Sequence, residues 1–176
     1  MNLKLKRTPG LYLLGFMASG KSTIGRLLAD RLGWSFFDID HEIETAENCS
    51  IAGIFDTRGE AEFRLIETQI LRQHVQHIER GRPAVLALGG GAFITPENRE
   101  LLSEHGITVW LDCPFEIVQR RVAQASHRPL ARDPDKFAAL YAARLETYRL
   151  ADIHVPIESD DPVRAVRTIL ADPLMK

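Results

Sequence analysis

The first residues whose types and spacing suggest chemistry are those of the stretch GFMASGKST, residues 15–23. The stretch fits the pattern G-x-x-x-x-G-K-[ST], in which backbone N–H groups surround a phosphate and a following helix adds partial positive charge. Lys21 is long enough to reach the β- and γ-phosphates of a nucleotide, and the Ser22 hydroxyl suits Mg²⁺. The pattern therefore predicts nucleotide binding. Further contacts are predicted from Ala18, Ser19, Gly20 and Thr23.

The apolar residues before this loop allow a second interpretation. The basic start MNLKLKRTPG, followed by LYLLGFMA, has the layout of a secretory signal peptide. Cleavage there would remove a loop that the acids and arginines further along the chain presuppose. We therefore favour a buried first strand over residues 11–16.

Ala18 occupies a position that the general pattern leaves unrestricted. We expect a negative φ at this residue, where alanine costs little and stiffens the loop. A positive φ would instead introduce strain of about 1–2 kcal/mol.

Two acids follow the second apolar run, in the stretch FFDID. Asp38 and Asp40 are two residues apart, so we expect them to share one face of an extended segment. Two carboxylates beside a phosphate loop repel each other unless a positive charge lies between them. The pair therefore indicates a site for Mg²⁺ and for an acceptor hydroxyl group. The alternative is that one of them caps a helix that begins near His41.

Three later stretches carry further candidates. The glycines at 89–91 allow close approach of the backbone to a ligand, although a flexible turn would also explain them. Arg64 and Glu67 share a helix face, and the alternative is a surface ion pair contributing at most about 1 kcal/mol. The polar segment 125–136 interrupts two helices and is a candidate lid. From it, Arg128 would supply positive charge to a transferring phosphoryl group.

Alternating strands and helices must position these residues. Short apolar runs, which are typical of buried parallel strands, occur at 11–16, 35–39, 84–89, 107–112 and 152–157. Segments with helical period occur at 21–33, 60–79, 114–124 and 136–151. The alternation predicts a doubly wound α/β sheet, in which ligands bind beyond the carboxyl ends of the strands.

Composition limits the classes of function. A chain of 176 residues with 45% hydrophobic residues suits one domain with a substantial core. A net charge of −2 provides no basic field for nucleic acid, and no apolar run approaches the roughly 20 residues that span a bilayer. Cys49 and Cys113 have no metal-binding or CxxC spacing. We expect free thiols in a reducing compartment, the cytoplasm.

Taken together, these stretches resemble the shikimate kinase family, of the nucleoside-monophosphate-kinase-like branch of P-loop proteins. The resemblance runs from about residue 11 to 170 and rests on GFMASGKSTIG, FFDID, IFDTRGEAEFR, LGGGAF, RPLA and RLETY, in this order. It implies one α/β domain over residues 1–176, with a five-stranded parallel sheet of order 2-3-1-4-5. Substrate-binding helices would span about 40–80, and a lid about 123–136. The implied reaction is ATP-dependent phosphorylation of the 3-hydroxyl group of shikimate, in aromatic amino acid biosynthesis.

The resemblance also implies roles in phosphoryl transfer. Lys21 and Ser22 would hold the phosphates and Mg²⁺, with Asp38 assisting the metal through water. Asp40 would bind the acceptor hydroxyl group and orient or deprotonate it. Arg128 would come from the lid onto the phosphates. The residue that packs beside adenine would be Arg121.

For the acceptor, the resemblance implies that Arg64 and Arg144 grip a carboxylate. The Gly90 backbone and Glu67 would complete the pocket. Its walls would be Phe55 and Phe63. The chemistry of these residue types agrees, since two arginines suit a carboxylate, two acids suit neighbouring hydroxyl groups and two phenylalanines suit a ring.

The chain departs from the family near its last loop, where ESDDP (158–162) stands in place of a frequent basic residue. Two aspartates would repel phosphate rather than attract it. We therefore expect weaker or altered nucleotide preference.

Three alternatives stay open at this point. A gluconate kinase on the same scaffold would lack the pair Arg64 and Arg144 in this arrangement. A shikimate-sensing regulatory domain would adjoin a DNA-binding segment, and only about ten residues precede the first strand. A GTPase switch would need an N-K-x-D motif, which the sequence lacks. The expected partners are ATP and shikimate alone, for a monomer that binds neither nucleic acid nor membrane.

Overall fold

A computed structural model describes residues 10–125 and 133–176 of the chain. It contains one parallel sheet with the strand order β2-β3-β1-β4-β5. The strands are β1 (Gly10–Leu14), β2 (Ser35–Asp38), β3 (Ala84–Ala87), β4 (Ile107–Asp112) and β5 (Ile153–Pro156). The central strand β1 is buried at all five positions because it has neighbours on both edges. The predicted sheet order and the buried first strand are both confirmed.

Seven α-helices surround this sheet among the described residues. They are α1 (Lys21–Leu32), α2 (Ile39–Glu47), α3 (Ile51–Glu79), α4 (Pro96–Glu104), α5 (Phe115–Gln124), α6 (Pro134–Tyr148) and α7 (Pro162–Ala171). Helix α3 is kinked at Gly59, where φ is 84° and the backbone is not helical. A short 3₁₀ turn, Ala92–Ile94, follows β3, and another closes the chain at Pro173–Met175. The end of α5 and the start of α6 flank the candidate lid, whose central residues lie outside the described part of the chain.

The segment after β2 differs from the prediction of an extended chain through Asp38 and Asp40. Asp38 ends the strand and caps α2, because its Oδ1 accepts hydrogen bonds from the N–H groups of Asp40 at 3.1 Å and His41 at 3.4 Å. Asp40 is therefore the second residue of a helix. The expectation of one shared extended face is wrong, and the alternative interpretation of Asp38 as a helix cap is confirmed.

The sheet register brings three strand ends to the same level. Leu13 of β1 and Asp38 of β2 both pair with Ala87 of β3. The next N–H group of that strand, at Leu88, donates to the carbonyl of Leu13 at 2.9 Å. Consequently the loop after β1, the acids after β2 and the glycines after β3 leave the sheet side by side, where a doubly wound sheet binds its ligands.

Three further observations concern the described part of the chain. Across the residues that the structure describes, no helix is both long and apolar enough to pass through a membrane. Cys49 and Cys113 are both free, as expected. Within the same ranges, no group of three or more histidine, cysteine or acidic residues is arranged to hold a metal ion without other ligands.

Candidate active site

The predicted phosphate loop connects β1 to α1 and opens onto a cavity of about 700 Å³. Gly20, with φ 97°, is the N-cap of α1 and provides no side chain to cap it. The N-terminus of a helix carries partial positive charge, so the start of α1 suits an anion. Residues 17–24 all line the cavity. Ala18, Ser19, Gly20 and Thr23 therefore lie at the cavity, and their contact with a nucleotide stays a prediction.

Lys21 is held against the start of its own loop. Its Nζ donates to the carbonyls of Gly15 at 2.8 Å and Phe16 at 2.9 Å, and it also lines the cavity. These hydrogen bonds keep a full positive charge beside the first N–H groups of α1. The two together make this end of the cavity suitable for a polyphosphate.

Ala18 has a φ of 60°, so the expectation of a negative φ is wrong. The loop turns sharply here, with the N–H group of Ser19 donating back to the carbonyl of Phe16 at 3.3 Å. A residue with a positive φ can turn neighbouring N–H groups to one side, which is one way in which a backbone forms an anion-binding concavity. The geometry of the loop therefore overrides the preference of alanine, at a strain of about 1–2 kcal/mol.

Replacing Ala18 by glycine should raise the free energy of unfolding by about 0.5–1 kcal/mol, because glycine removes the strain but adds freedom to the unfolded chain. Urea denaturation measures the change. Ala139, which is exposed within α6, provides the matched control. Ala139→Gly should lower the free energy of unfolding by up to about 1 kcal/mol, since glycine weakens an ordinary helix. If Ala18→Gly destabilised the protein as Ala139→Gly does, the loop would not be strained at residue 18.

Ser22 and Asp38 form the candidate metal site. The Ser22 hydroxyl donates a short hydrogen bond to Asp38 Oδ2, and both residues line the cavity. A hydroxyl and a carboxylate side by side offer oxygen ligands only, which is the donor set that Mg²⁺ prefers while it retains several waters. The residues present therefore fit this ion.

Asp40, in the first turn of α2, lines the same cavity as Asp38 and Lys21. Burial raises the pKa of its carboxyl group, and the Lys21 ammonium group opposes this change while Asp38 adds to it. A carboxylate with a raised pKa, close to a lysine and a phosphate loop, has the properties of a group that accepts a proton.

The three glycines after β3 leave room for side chains of the site. A Cβ atom at Gly89 would lie 2.7 Å from Asp40 Oδ1 and 3.3 Å from Glu67 Oε2, and one at Gly90 would lie 2.9 Å from Arg144 Nη1. At Gly91 it would collide with the guanidinium group of Arg64. The sequence predicted that these glycines allow a ligand to approach the backbone closely. In the structure, the groups that approach the backbone include the protein's own acids and arginines.

Arg64 and Glu67 form an ion pair at the back of the site. Arg64 Nη1 donates to Glu67 Oε1 at 2.8 Å, and the Glu67 side chain is fully buried, so the surface-pair alternative is excluded. Burial raises the pKa of Glu67, and the Arg64 guanidinium opposes this rise. Glu67 Oε2 has no hydrogen-bond partner among the described residues, and buried Ser19 Oγ is the other such side-chain atom. Both lie at the site, where unsatisfied polar atoms in native proteins often serve a function.

Arg144, on α6, packs its guanidinium over the ring of Phe16 at 5.6 Å and against the backbone of Gly90. Tyr148, one turn further along α6, donates from its hydroxyl group to the carbonyl of Gly90 at 2.5 Å. Burial raises the pKa of Tyr148 to about 12, so it remains a neutral donor. Sequence reasoning did not assign Tyr148 a role. The helical spacing of Arg144 and Tyr148 was the available signal.

The two predicted phenylalanine walls meet each other beside this cluster. The rings of Phe55 and Phe63 lie 4.7 Å apart, and the guanidinium of Arg64 lies 5.1 Å above Phe63. Phe63 is buried in the core, whereas Phe55 is half-buried. Of the predicted acceptor-site residues, Asp40 and Gly90 line the main cavity. Arg64, Glu67 and Arg144 surround residues 89–91 directly behind the cavity. The two phenylalanines contact this group through Arg64.

The far end of the cavity is bordered by Arg121, the residue predicted to pack beside adenine. Its Nη1 donates to the Ala18 carbonyl at 2.8 Å, and its Nη2 donates to Asp160 at 2.9 Å. Asp160 therefore faces arginines, which the sequence analysis did not anticipate. Arg128, predicted to act from the lid, lies outside the described residues.

Comparisons with known proteins agree with this arrangement. The model of the family described as "Shikimate kinase" matches residues 17–172. The chain is 44% identical over 146 residues to a shikimate kinase of Ruegeria pomeroyi, covering 81% of this chain and 73% of the relative. It is 38% identical over 161 residues to one of Persephonella marina, covering 91% and 96%. The solved shikimate kinase from Acinetobacter baumannii in complex with shikimate has a TM-score of 0.84 and 35% identity, covering 97% of this chain and 95% of that one.

Proposed function

The chain belongs to the shikimate kinase family, and we propose that it transfers the γ-phosphoryl group of ATP to the 3-hydroxyl group of shikimate. It is therefore an enzyme, a phosphotransferase with an alcohol acceptor, in the pathway to the aromatic amino acids. The observation that carries this proposal is the meeting of two acids and two arginines around residues 89–91, directly beside a phosphate loop. A small polyhydroxylated acid matches both kinds of group.

The nucleotide end of the site would position the phosphates. The N–H groups of the loop and of α1 bind them, and the Lys21 ammonium group compensates charge that develops on the transferring group. Ser22 and, through water, Asp38 would hold Mg²⁺, which would supply positive charge to compensate the charge of the phosphates. Arg128 would approach the same phosphates when the segment 123–136 closes and excludes water.

The acceptor end would select the acid and prepare its hydroxyl group. Asp40 accepts a hydrogen bond from the hydroxyl group and takes its proton as the bond to phosphorus forms. Arg64 and Arg144 pair with the carboxylate, and Glu67 holds Arg64 in place through the 2.8 Å ion pair. The backbone of Gly90, held by Tyr148, fixes the ring between the two ends of the site. Phe55 and Phe63 would wall the ring.

The test of this function is a coupled ADP-release assay with purified protein, ATP, Mg²⁺ and shikimate. We expect ADP release only with shikimate present, and gluconate in its place should give none. Turnover with gluconate, or ATP binding without turnover of shikimate, would overturn the proposal. The second outcome would instead favour a sensing domain.

Replacing Arg144 by alanine should raise the KM for shikimate by about tenfold to hundredfold, because a hydrogen bond between two charged groups is lost. We expect kcat to change by less than about threefold, since the carboxylate lies away from the transferring group. Steady-state kinetics at saturating ATP measures both. Arg149, an exposed arginine at the end of α6, is the control, and Arg149→Ala should leave the KM unchanged. An unchanged KM for Arg144→Ala would remove Arg144 from the acceptor site.

We further infer that the chain works as a monomer in the cytoplasm, with ATP and shikimate as its partners and no nucleic acid or membrane. The free thiols of Cys49 and Cys113 support a reducing compartment. We also infer one domain, in which the helices over about 40–80 bind the acceptor and the segment 123–136 forms the lid.

A further inference from the structure

Asp160 joins two arginines at the rim of the nucleotide cavity. Its carboxylate accepts hydrogen bonds from Nη2 of Arg120, with both distances at 3.0 Å, and from Nη2 of Arg121 at 2.9 Å. In the other direction, Nη1 of Arg121 donates to the Ala18 carbonyl at 2.8 Å. These groups form a bridge from the segment after β5, across α5, to the phosphate loop. All four residues line the cavity.

The bridge fixes the orientation of one guanidinium group. A guanidinium is planar, and two hydrogen bonds from different nitrogens to two separate acceptors define its plane. Arg121 has these two acceptors in Ala18 and Asp160, which belong to different segments of the chain. With Asp160 removed, Nη2 would lose its acceptor, and the plane would be held less firmly, by Nη1 alone, which donates to the Ala18 carbonyl and, at 3.8 Å, to Cys113 Sγ. A flat, fixed cation is a surface on which an aromatic base stacks.

The other acids of the same segment have different partners. Glu158 pairs with Arg164 at 2.9 Å and lines a separate, smaller pocket. Asp161 caps α7 by accepting from the N–H group of Val163 at 3.0 Å. Asp160 is the acid of residues 158–161 whose carboxylate pairs with arginines of the nucleotide cavity. The hydrogen bond from Arg121 lowers the pKa of its carboxyl group, so the bridge stays charged at neutral pH.

We propose that Asp160 is a positioning residue, which fixes the guanidinium plane of Arg121 so that the base of the nucleotide stacks on it. Asp160 would thus strengthen binding of the base and leave the binding of phosphates nearly unchanged. This inference rests on the proposed function, in that the cavity takes a nucleotide, and on the expectation that the base of the nucleotide lies beside Arg121. It reverses the direction expected from the sequence, where the aspartates of ESDDP would only repel phosphate. The reversal arises because two arginines compensate the charge of Asp160.

Asp160 could strengthen binding of the base or repel the phosphates. Calorimetric titration of the Asp160→Asn variant with ADP and, separately, with tripolyphosphate distinguishes these two effects. If Asp160 positions Arg121, the Kd for ADP should rise about three- to fivefold, the upper part of the range that exposed ion pairs contribute. The Kd for tripolyphosphate, which has no base, should stay within about twofold. If Asp160 instead acts by repulsion, both ligands should bind more tightly to the variant.

Three controls make the experiment specific. Glu158→Gln removes the same charge from the same segment without touching Arg121, and it should leave the Kd for ADP unchanged. Asp160→Glu keeps the acceptor and should restore most of the affinity. In an Arg121→Ala background, Asp160→Asn should change the Kd for ADP by less than about 1.5-fold, because the two residues then act through one contact.

Tighter or unchanged binding of ADP by the Asp160→Asn variant would overturn the inference, and so would an equal loss for both ligands. ADP binding is measured without shikimate, so the outcome is independent of the acceptor. A chain that shows the expected change in ADP binding but does not phosphorylate shikimate would contradict the proposed function alone. A chain that phosphorylates shikimate, and whose Asp160→Asn variant binds ADP as tightly as the unchanged protein, would contradict this inference alone.

Discussion

Replacing Asp40 by asparagine should lower kcat by about 10²- to 10⁴-fold, the range that a positioned general base contributes. Asparagine retains the shape and a hydrogen-bond acceptor at the second position of α2, but its amide group cannot take a proton at any working pH. Steady-state assays with saturating shikimate and ATP measure the change. We expect the KM for ATP to change little, because the role proposed for Asp40 is on the acceptor side of the cavity.

The pH profile gives a second readout of the same residue. Burial raises the pKa of the Asp40 carboxyl group, so its ionised form is lost as the pH falls through a value above the usual aspartate range. The kcat/KM for shikimate should therefore decline on the acid side at that higher pH, and Asp40→Asn should lack this limb. Glu42, two residues later in α2, lies 3.6 Å from His74 and provides the control. Glu42→Gln should keep normal kinetics. A near-normal kcat for Asp40→Asn would show that Asp40 does not act on the acceptor hydroxyl group.

Replacing Lys21 by methionine should lower kcat by about 10²- to 10³-fold, as expected when one preorganised charge is removed from a transferring group. Methionine keeps most of the apolar stem and removes the ammonium group. The variant also loses the two hydrogen bonds to the carbonyls of Gly15 and Phe16. Rapid-quench measurement of a single turnover would locate the loss in the chemical step.

Urea denaturation separates this loss from a loss of folding. The Lys21→Met variant should remain folded, because the sheet around β1 does not depend on the ammonium group. If kcat fell only in proportion to the folded fraction, Lys21 would stabilise the loop and have no role in phosphoryl transfer. Lys21→Arg retains the charge but changes its geometry, and we expect it to recover only part of the rate.

The fold was largely predictable because each buried strand is a short apolar run. Residues 84–89 and 107–112, for example, are apolar on both faces, which is typical of strands covered by helices on both sides. The stretch 15–22 was predictable as well, since its glycines and lysine match a loop with few physical alternatives. The order of the strands came from the resemblance and not from the runs themselves.

Other features depended on contacts between distant segments and could not be predicted locally. The left-handed φ of Ala18 is set by the closure of the whole loop, which residue preferences do not encode. Asp160 was interpreted as an isolated charge because its partners, Arg120 and Arg121, lie on a different helix. Asp40 was placed in an extended segment because the cap formed by Asp38 starts α2 earlier than the apolar pattern suggests.

The central position of β1 has a consequence for how the protein is made. Both neighbours of β1 come much later in the chain, since Leu13 pairs with Ala87 on one side and Val109 on the other. Contacts of such long sequence separation form late, because the intervening chain must first be closed into a loop. During synthesis, we therefore expect the phosphate loop to reach its final geometry only after β4 has left the ribosome. The earliest motif in the sequence is thus among the last parts of the site to become functional.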